Sequence, residues 1–177
     1  MPSGKTHDAI TFILAAPLCA LVYAASGEVA VTAFATGAFL FGGLMFGPDL
    51  DTASVQYSRW LVLRPLWFPY RAAFKHRSRW SHGLIFGTLF RVIYFMGAAS
   101  LVVFLGFLLM RSIAGGEVPS LNVLLSVWQS IGEAASLYLG VSAIWAVFFG
   151  MWAGAASHTF ADMAGTYIKT GRVTEFL

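Results

Sequence analysis

The sequence predicts an all-α, polytopic membrane bundle: about four transmembrane helices with a basic, aromatic-rich cytoplasmic loop. Three observations carry that expectation. The 177 residues are 58% hydrophobic and only 11% charged, with a mean hydropathy of +0.74. Soluble domains carry roughly a quarter charged residues, so this chain lacks the polar side chains to cover a water-facing surface. Four apolar runs lie near the length of about 20 residues that crosses a hydrocarbon core. The cations are also segregated: of eleven Lys and Arg, six fall between Arg59 and Arg79.

The length fits a single domain, residues 1–177. The lone cysteine, Cys19, excludes an intrachain disulfide. After the polar start MPSGKTHD, the first run is Ala9–Ala25, slightly short for a span. A secretory signal peptide is the competing reading, but Pro17 and the aromatics make its core long and irregular. Ser26-Gly27-Glu28 reads as a tight turn into the second run, Val29–Phe46, whose Gly and Ala suit close helix packing. Gly47-Pro48 ends it, because proline lacks the N–H and disfavours helix in the residue before it.

The following loop interleaves Trp60, Leu61, Leu63, Leu66, Trp67, Phe68 and Tyr70 with Arg59, Arg64 and Arg71, a mixture suited to lipid headgroups. Pro65 and Pro69 exclude one continuous helix there. The third run, Gly83–Met110, is broken by Arg91 alone and exceeds what a span needs. On a continuous helix Arg91, nine residues after His82, takes the opposite face, where it snorkels or pairs inside the bundle. A turn at Gly115-Gly116 and Pro119, then a short surface helix at Asn122–Gln129, precede the fourth run, Ala134–Ala156.

Short loops rich in Lys and Arg stay in the cytoplasm. Four spans put Lys5, the Arg59–Arg79 loop, and Lys169 with Arg172 on that side, so both termini are expected there. The four histidines fall on the same side with Asp8, Asp49, Asp51 and Asp162. His7 and Asp8 precede the first span, Asp49 and Asp51 follow the second, His76 and His82 precede the third, and His158 and Asp162 follow the fourth. Singly, each has a plain explanation as a cap, a turn residue or a headgroup contact. Together they place several metal-ligating side chains where four helix ends converge. His158 and Asp162, four apart, share one helix face and can bite one cation. Imidazole and carboxylate without thiolate suit Zn²⁺, Mn²⁺ or Fe²⁺. The surplus of ligands over one tetrahedral ion points to one or two ions, and Lys75, Arg77 and Arg79 suit a phosphate-bearing substrate.

These motifs (MPSGKTHD, FGPDLD, HRSRWSHG and the closing HTFAD) resemble those of metal-binding membrane proteins common in cyanobacteria. More distantly they are similar to the YdjM-like inner-membrane metal-dependent hydrolases and to zinc-dependent phospholipase C. The resemblance implies zinc, a bacterial inner or thylakoid membrane, and a ligand order of His7, Asp49, His82, then His158 with Asp162. His76 has no counterpart in that order. The residues after Asp162 carry no further His cluster like that of the phospholipases, so the resemblance does not extend to their third metal.

The expectation is therefore an integral membrane, metal-dependent hydrolase acting on a phosphoester, including a lipid, at the cytoplasmic face. Asp51 or Asp8 would be the general base, and Arg77 or Arg79 the phosphate contact. Membrane lipid is the expected partner and nucleic acid is not. The alternative is a non-catalytic membrane protein in which metal staples the helix ends. A transporter fits less well, since the spans carry no ionisable group near their middle except Arg91.

Overall fold

The computed structural model describes residues 3–76, 78–84, 86–115 and 120–171, with the side chains of Arg79 and Leu124 excepted. All regular secondary structure among them is helical. Four segments are long and apolar enough to cross a membrane: Gly4–Ser26, Val29–Asp51, Phe86–Ala114 and Val141–Thr170.

Helix α1 (Gly4–Ser26) begins at Ser3, whose hydroxyl accepts from the Thr6 amide at 3.2 Å, and ends at Gly27 in the left-handed region. Helix α2 (Val29–Leu44) packs on α8 (Val141–Thr170) with almost no space between backbones. A Cβ on Gly42 would run into the Met151 carbonyl, one on Gly150 into that of Ala35, and one on Gly154 into that of Phe39. Helices driven together in lipid rely on such close approach rather than on water exclusion. Here it brings the turn after α2 against the ligand-bearing part of α8.

That turn is a 3-10 helix, Pro48–Asp51, with proline in its first position where no N–H is needed. Beyond it lie α3 (Val55–Ser58), a second 3-10 stretch (Leu61–Trp67) and α4 (Phe68–Ala73). The expected headgroup-facing loop is thus a folded cap. Trp60, Trp67 and Tyr70 are buried with Phe46 and Leu50, packed against Tyr94 and Phe95. Trp60 Nε1 donates to the Met45 carbonyl at 2.9 Å, and the Tyr94 hydroxyl donates to the Leu66 carbonyl. Among the large hydrophobic residues of this stretch, Val55, Leu61, Val62, Leu63 and Phe68 remain exposed.

Helix α5 (Arg79–His82) is a single turn, and α6 (Phe86–Ala114) starts afresh after it. At about 1.5 Å per residue, the 29 residues of α6 extend about 43 Å, more than a hydrocarbon core of about 30 Å. The expected short helix at 122–129 is in fact α7 (Leu121–Leu139), which folds back on α6 where Trp128 Nε1 donates to Ser100 Oγ at 2.7 Å. It absorbs residues 134–139, which hydropathy alone had joined to the last span. Gly140, with φ of 81°, separates α7 from α8. Helix α8 then runs on for three turns past His158, where the sequence suggested a span end. Part of the expected 115–119 turn, and Arg172, lie outside the described residues.

Candidate metal centre

The ligand-type side chains meet at one end of the bundle, in two adjoining clusters. The first holds His7 from α1 with His158 and Asp162 from α8, their ligand atoms within 4.8 Å of one another. The His7 and His158 rings stack at 3.7 Å, 8° from parallel. His7 Nε2 lies 3.2 Å from Asp162 Oδ1, and His158 Nε2 lies 3.7 Å from Asp162 Oδ2. All three residues are buried.

The second cluster holds Asp49 and Asp51 from the turn after α2, His76, and His82 at the end of α5. His82 Nδ1 lies 3.4 Å from Asp51 Oδ2, while Asp51 Oδ1 meets His76 Nδ1 at 2.8 Å. Asp49, a member of the second cluster, also reaches the first. Its Oδ1 lies 3.4 Å from His82 Nε2 and its Oδ2 lies 3.3 Å from His158 Nε2. One carboxylate therefore faces the two sets, an oxygen to each.

Local chemistry explains the poise of that carboxylate. Gly47 leaves room for the Gln56 amide, which a Cβ there would strike. Gln56 Nε2 donates to the Gly43 carbonyl at 2.6 Å, and its Oε1 accepts from the Asp49 amide at 3.2 Å. Ser54 Oγ donates to the Asp49 carbonyl at 2.8 Å. The oriented Gln56 nitrogen then sits 3.2 Å from His158 Nδ1, which turns Nε2 of that ring toward Asp49 and Asp162. The α2 end, α3 and α8 are thus tied through a single buried side chain. Nothing in the sequence marks Gln56, since its partners are 7, 13 and 102 residues away.

The donor set fits divalent cations. Both oxygens of Asp162, Asp49 Oδ1, Asp51 Oδ2 and His158 Nε2 are buried without a hydrogen bond among the described residues. Buried carboxylate oxygens are costly unless hydrogen-bonded or coordinated. Imidazole plus carboxylate is the ligand chemistry of Zn²⁺ and of Mn²⁺ or Fe²⁺. Burial pushes the His82 imidazole toward its neutral form. The Asp49 and Asp51 carboxylates outweigh that, and its pKa stands above the usual histidine value. A cation that binds His82 therefore competes with a proton favoured there.

The comparison with known families agrees with this geometry. A family model described as "Uncharacterized metal-binding protein (DUF2227)" matches residues 2–172. The chain belongs to that family. Neither the curated proteins nor the solved structures yielded a match. Membership in the DUF2227 metal-binding family and two His/Asp clusters support a bound metal ion from independent directions.

The sequence-selected residues distribute unevenly around the DUF2227 centre. His7, Asp49, His82, His158 and Asp162 are brought together, and Asp51 stands among them. Asp8 joins neither cluster: Arg59 grips its carboxylate with two hydrogen bonds, of 2.9 and 2.5 Å, and that pair ties α1 to the cap. Arg77 lies outside the described residues, as does the side chain of Arg79. Two residues set aside in the sequence prove close. His76, without a counterpart in the resembled order, hydrogen-bonds Asp51. Arg91, phased away from His82 by assuming a continuous helix, reaches the Ser81 carbonyl because the helix breaks between α5 and α6.

Proposed function

We propose that this is an integral membrane metallohydrolase that cleaves a phosphoester, with two divalent ions, zinc foremost, sharing Asp49 at the cytoplasmic end of the bundle. The observation that carries the reading is the Asp49 carboxylate, with one oxygen toward His82 and the other toward His158. His7, His158 and Asp162 would hold one ion, and His82 with Asp51 the other. Two ions held there would supply a Lewis acid for a phosphoryl oxygen and would lower the pKa of water to near neutrality.

The chain's own residues manage position and protons. Asp51 directs Oδ2 into the cluster and Oδ1 to His76, whose side chain is 40% exposed. A proton accepted at Asp51 has His76 Nδ1 at 2.8 Å to receive it, and His76 opens to solvent. Arg77 and Arg79, which follow His76 in the sequence, would be the phosphate contacts. The buried half of the centre also supports the second reading, a metal that staples helix ends, for the His7–His158–Asp162 cluster itself. The resemblance to membrane-bound metal-dependent hydrolases and zinc-dependent phospholipase C is part of the hydrolytic reading. The charge bias of the loops supports cytoplasmic termini, and the resemblance implies a bacterial plasma or thylakoid membrane.

The test uses full-length protein in detergent or nanodiscs, metal content being measured beside hydrolysis of bis(p-nitrophenyl) phosphate and of a short-chain phospholipid. Zinc- or manganese-dependent hydrolysis, lost in Asp49→Asn together with bound metal, is the expected result. Metal-loaded protein that cleaves neither probe leaves the stapling reading and rejects the hydrolase.

A further inference from the structure

Arg91 carries a guanidinium in a helix long and apolar enough to cross a membrane, is only 1% exposed, and no ion pair among the described residues accounts for it. Its fork is committed to polar atoms. Nη1 donates to the Ser81 carbonyl at 2.6 Å and Nη2 to Thr88 Oγ1 at 2.9 Å. The group lies beside the Tyr70 hydroxyl, and the Asp51 and Asp49 carboxylates are within its electrostatic reach. A lone cation at such depth is costly unless its surroundings compensate it.

What the fork holds is the residue before His82. Helix α5 is one turn long, so its carbonyls have no helical partners further along. Arg91 satisfies that of Ser81, and the Ser81 hydroxyl in turn lies 3.0 Å from His82 Nδ1. Two neighbours keep this linkage short. Gly87 carries no Cβ, which would approach within 2.6 Å of the Ser81 carbonyl oxygen. Trp152 Nε1, from α8, donates to the Leu84 carbonyl at 2.7 Å and pins the same break. Without the break, helical phase would carry Arg91 away from His82.

We propose that Arg91 is a positioning residue of the metal centre. Acting through the Ser81 carbonyl, it fixes His82 against Asp49 and Asp51, and its permanent charge offsets those carboxylates when the cluster is empty. It ligates nothing itself. The inference rests on the metal reading given above and concerns the exposed cluster only, because the described contacts of His7, His158 and Asp162 do not include Arg91. Lysine in its place keeps the charge but loses the planar fork that bonds two oxygens at once.

The experiment is a titration of the full chain in nanodiscs with Co²⁺ alone, followed by its visible spectrum, with melting of the metal-free protein in parallel. His7→Ala identifies which of two binding steps belongs to the buried cluster. Arg91→Lys is expected to weaken the other step by about 10–100-fold, the usual effect of losing a group that orients a ligand, and to leave the buried step unchanged. Thr88→Val, which removes one anchor and spares the guanidinium, should weaken the same step by less. If both steps in Arg91→Lys match the wild type, or both weaken equally with a lower melting temperature, Arg91 is ordinary packing and the proposal is overturned. A wild type that takes up no Co²⁺ removes the metal reading and this inference together, whereas normal wild-type uptake with unaffected variants removes only the inference.

Discussion

The two halves of the centre use the same side chains and differ in their access to water. His7, His158 and Asp162 sit on two long helices, stacked and buried, with Asp162 wholly enclosed. Asp49, Asp51, His76 and His82 sit on short turns, and Asp49 and His76 reach the surface with side-chain exposures of 19% and 40%. Rigid helices fix the first set with little freedom to exchange a ligand. Short elements held by Gln56, Ser54 and Arg91 keep the shape of the second, which on the proposed reading would admit water or substrate. Closed metal sites serve structure and open ones serve chemistry. On the proposed reading the chain would hold one of each, with Asp49 between them.

Substitution on the two sides should separate these roles. Asp162→Asn leaves His7 and His158 facing a neutral amide at a buried site. Leaving a buried polar group without its partner costs roughly 1–3 kcal/mol, so a drop in melting temperature should accompany loss of one ion. His76→Ala removes an exposed ring that contacts Asp51 alone among the cluster carboxylates. It should leave the fold and the buried ion intact while lowering turnover by at least tenfold. Equal destabilisation by both would erase the distinction between the halves.

The pH response sharpens the same comparison on a smaller scale. His82 has a raised pKa, so its protonated form, paired with Asp49 and Asp51, stabilises the metal-free protein. That contribution is complete below the ordinary histidine value and is lost as pH rises through the raised one. Metal-free protein should therefore lose melting temperature on going from about pH 6 upward through neutrality. Affinity at the open cluster should move in the opposite sense, falling as the pH drops, because the ion must displace this proton. A metal affinity flat across that interval would contradict the assignment of His82 as a ligand.

Much of this arrangement was legible in the sequence because membrane topology is nearly a ruler. Alternating spans put the ends of even helices beside the starts of odd ones, which already gathers His7, Asp49, His82 and His158. The i, i+4 spacing of His158 and Asp162 holds because α8 continues unbroken through both. What stayed hidden depends on departures from regular helix. The break between α5 and α6 resets the phase of Arg91, and a rule of 3.6 residues per turn has no access to it. Asp8 looked available by position, but the cap folds Arg59 onto it from 51 residues away. The cap's aromatics looked like headgroup anchors, since composition does not tell a ring buried on Phe95 from one lying in lipid. Hydropathy likewise joined the end of α7 to α8, because only the conformation of Gly140 separates them.

The central claim is that one aspartate joins two metal sites at the mouth of a membrane bundle. Anomalous X-ray scattering from crystals of the zinc-loaded protein tests it most directly. Two peaks on either side of Asp49 are predicted, one among His7, His158 and Asp162 and the other among Asp51 and His82. Zinc-loaded crystals with no anomalous peak at Asp49, or with zinc bound only elsewhere on the chain, would contradict it.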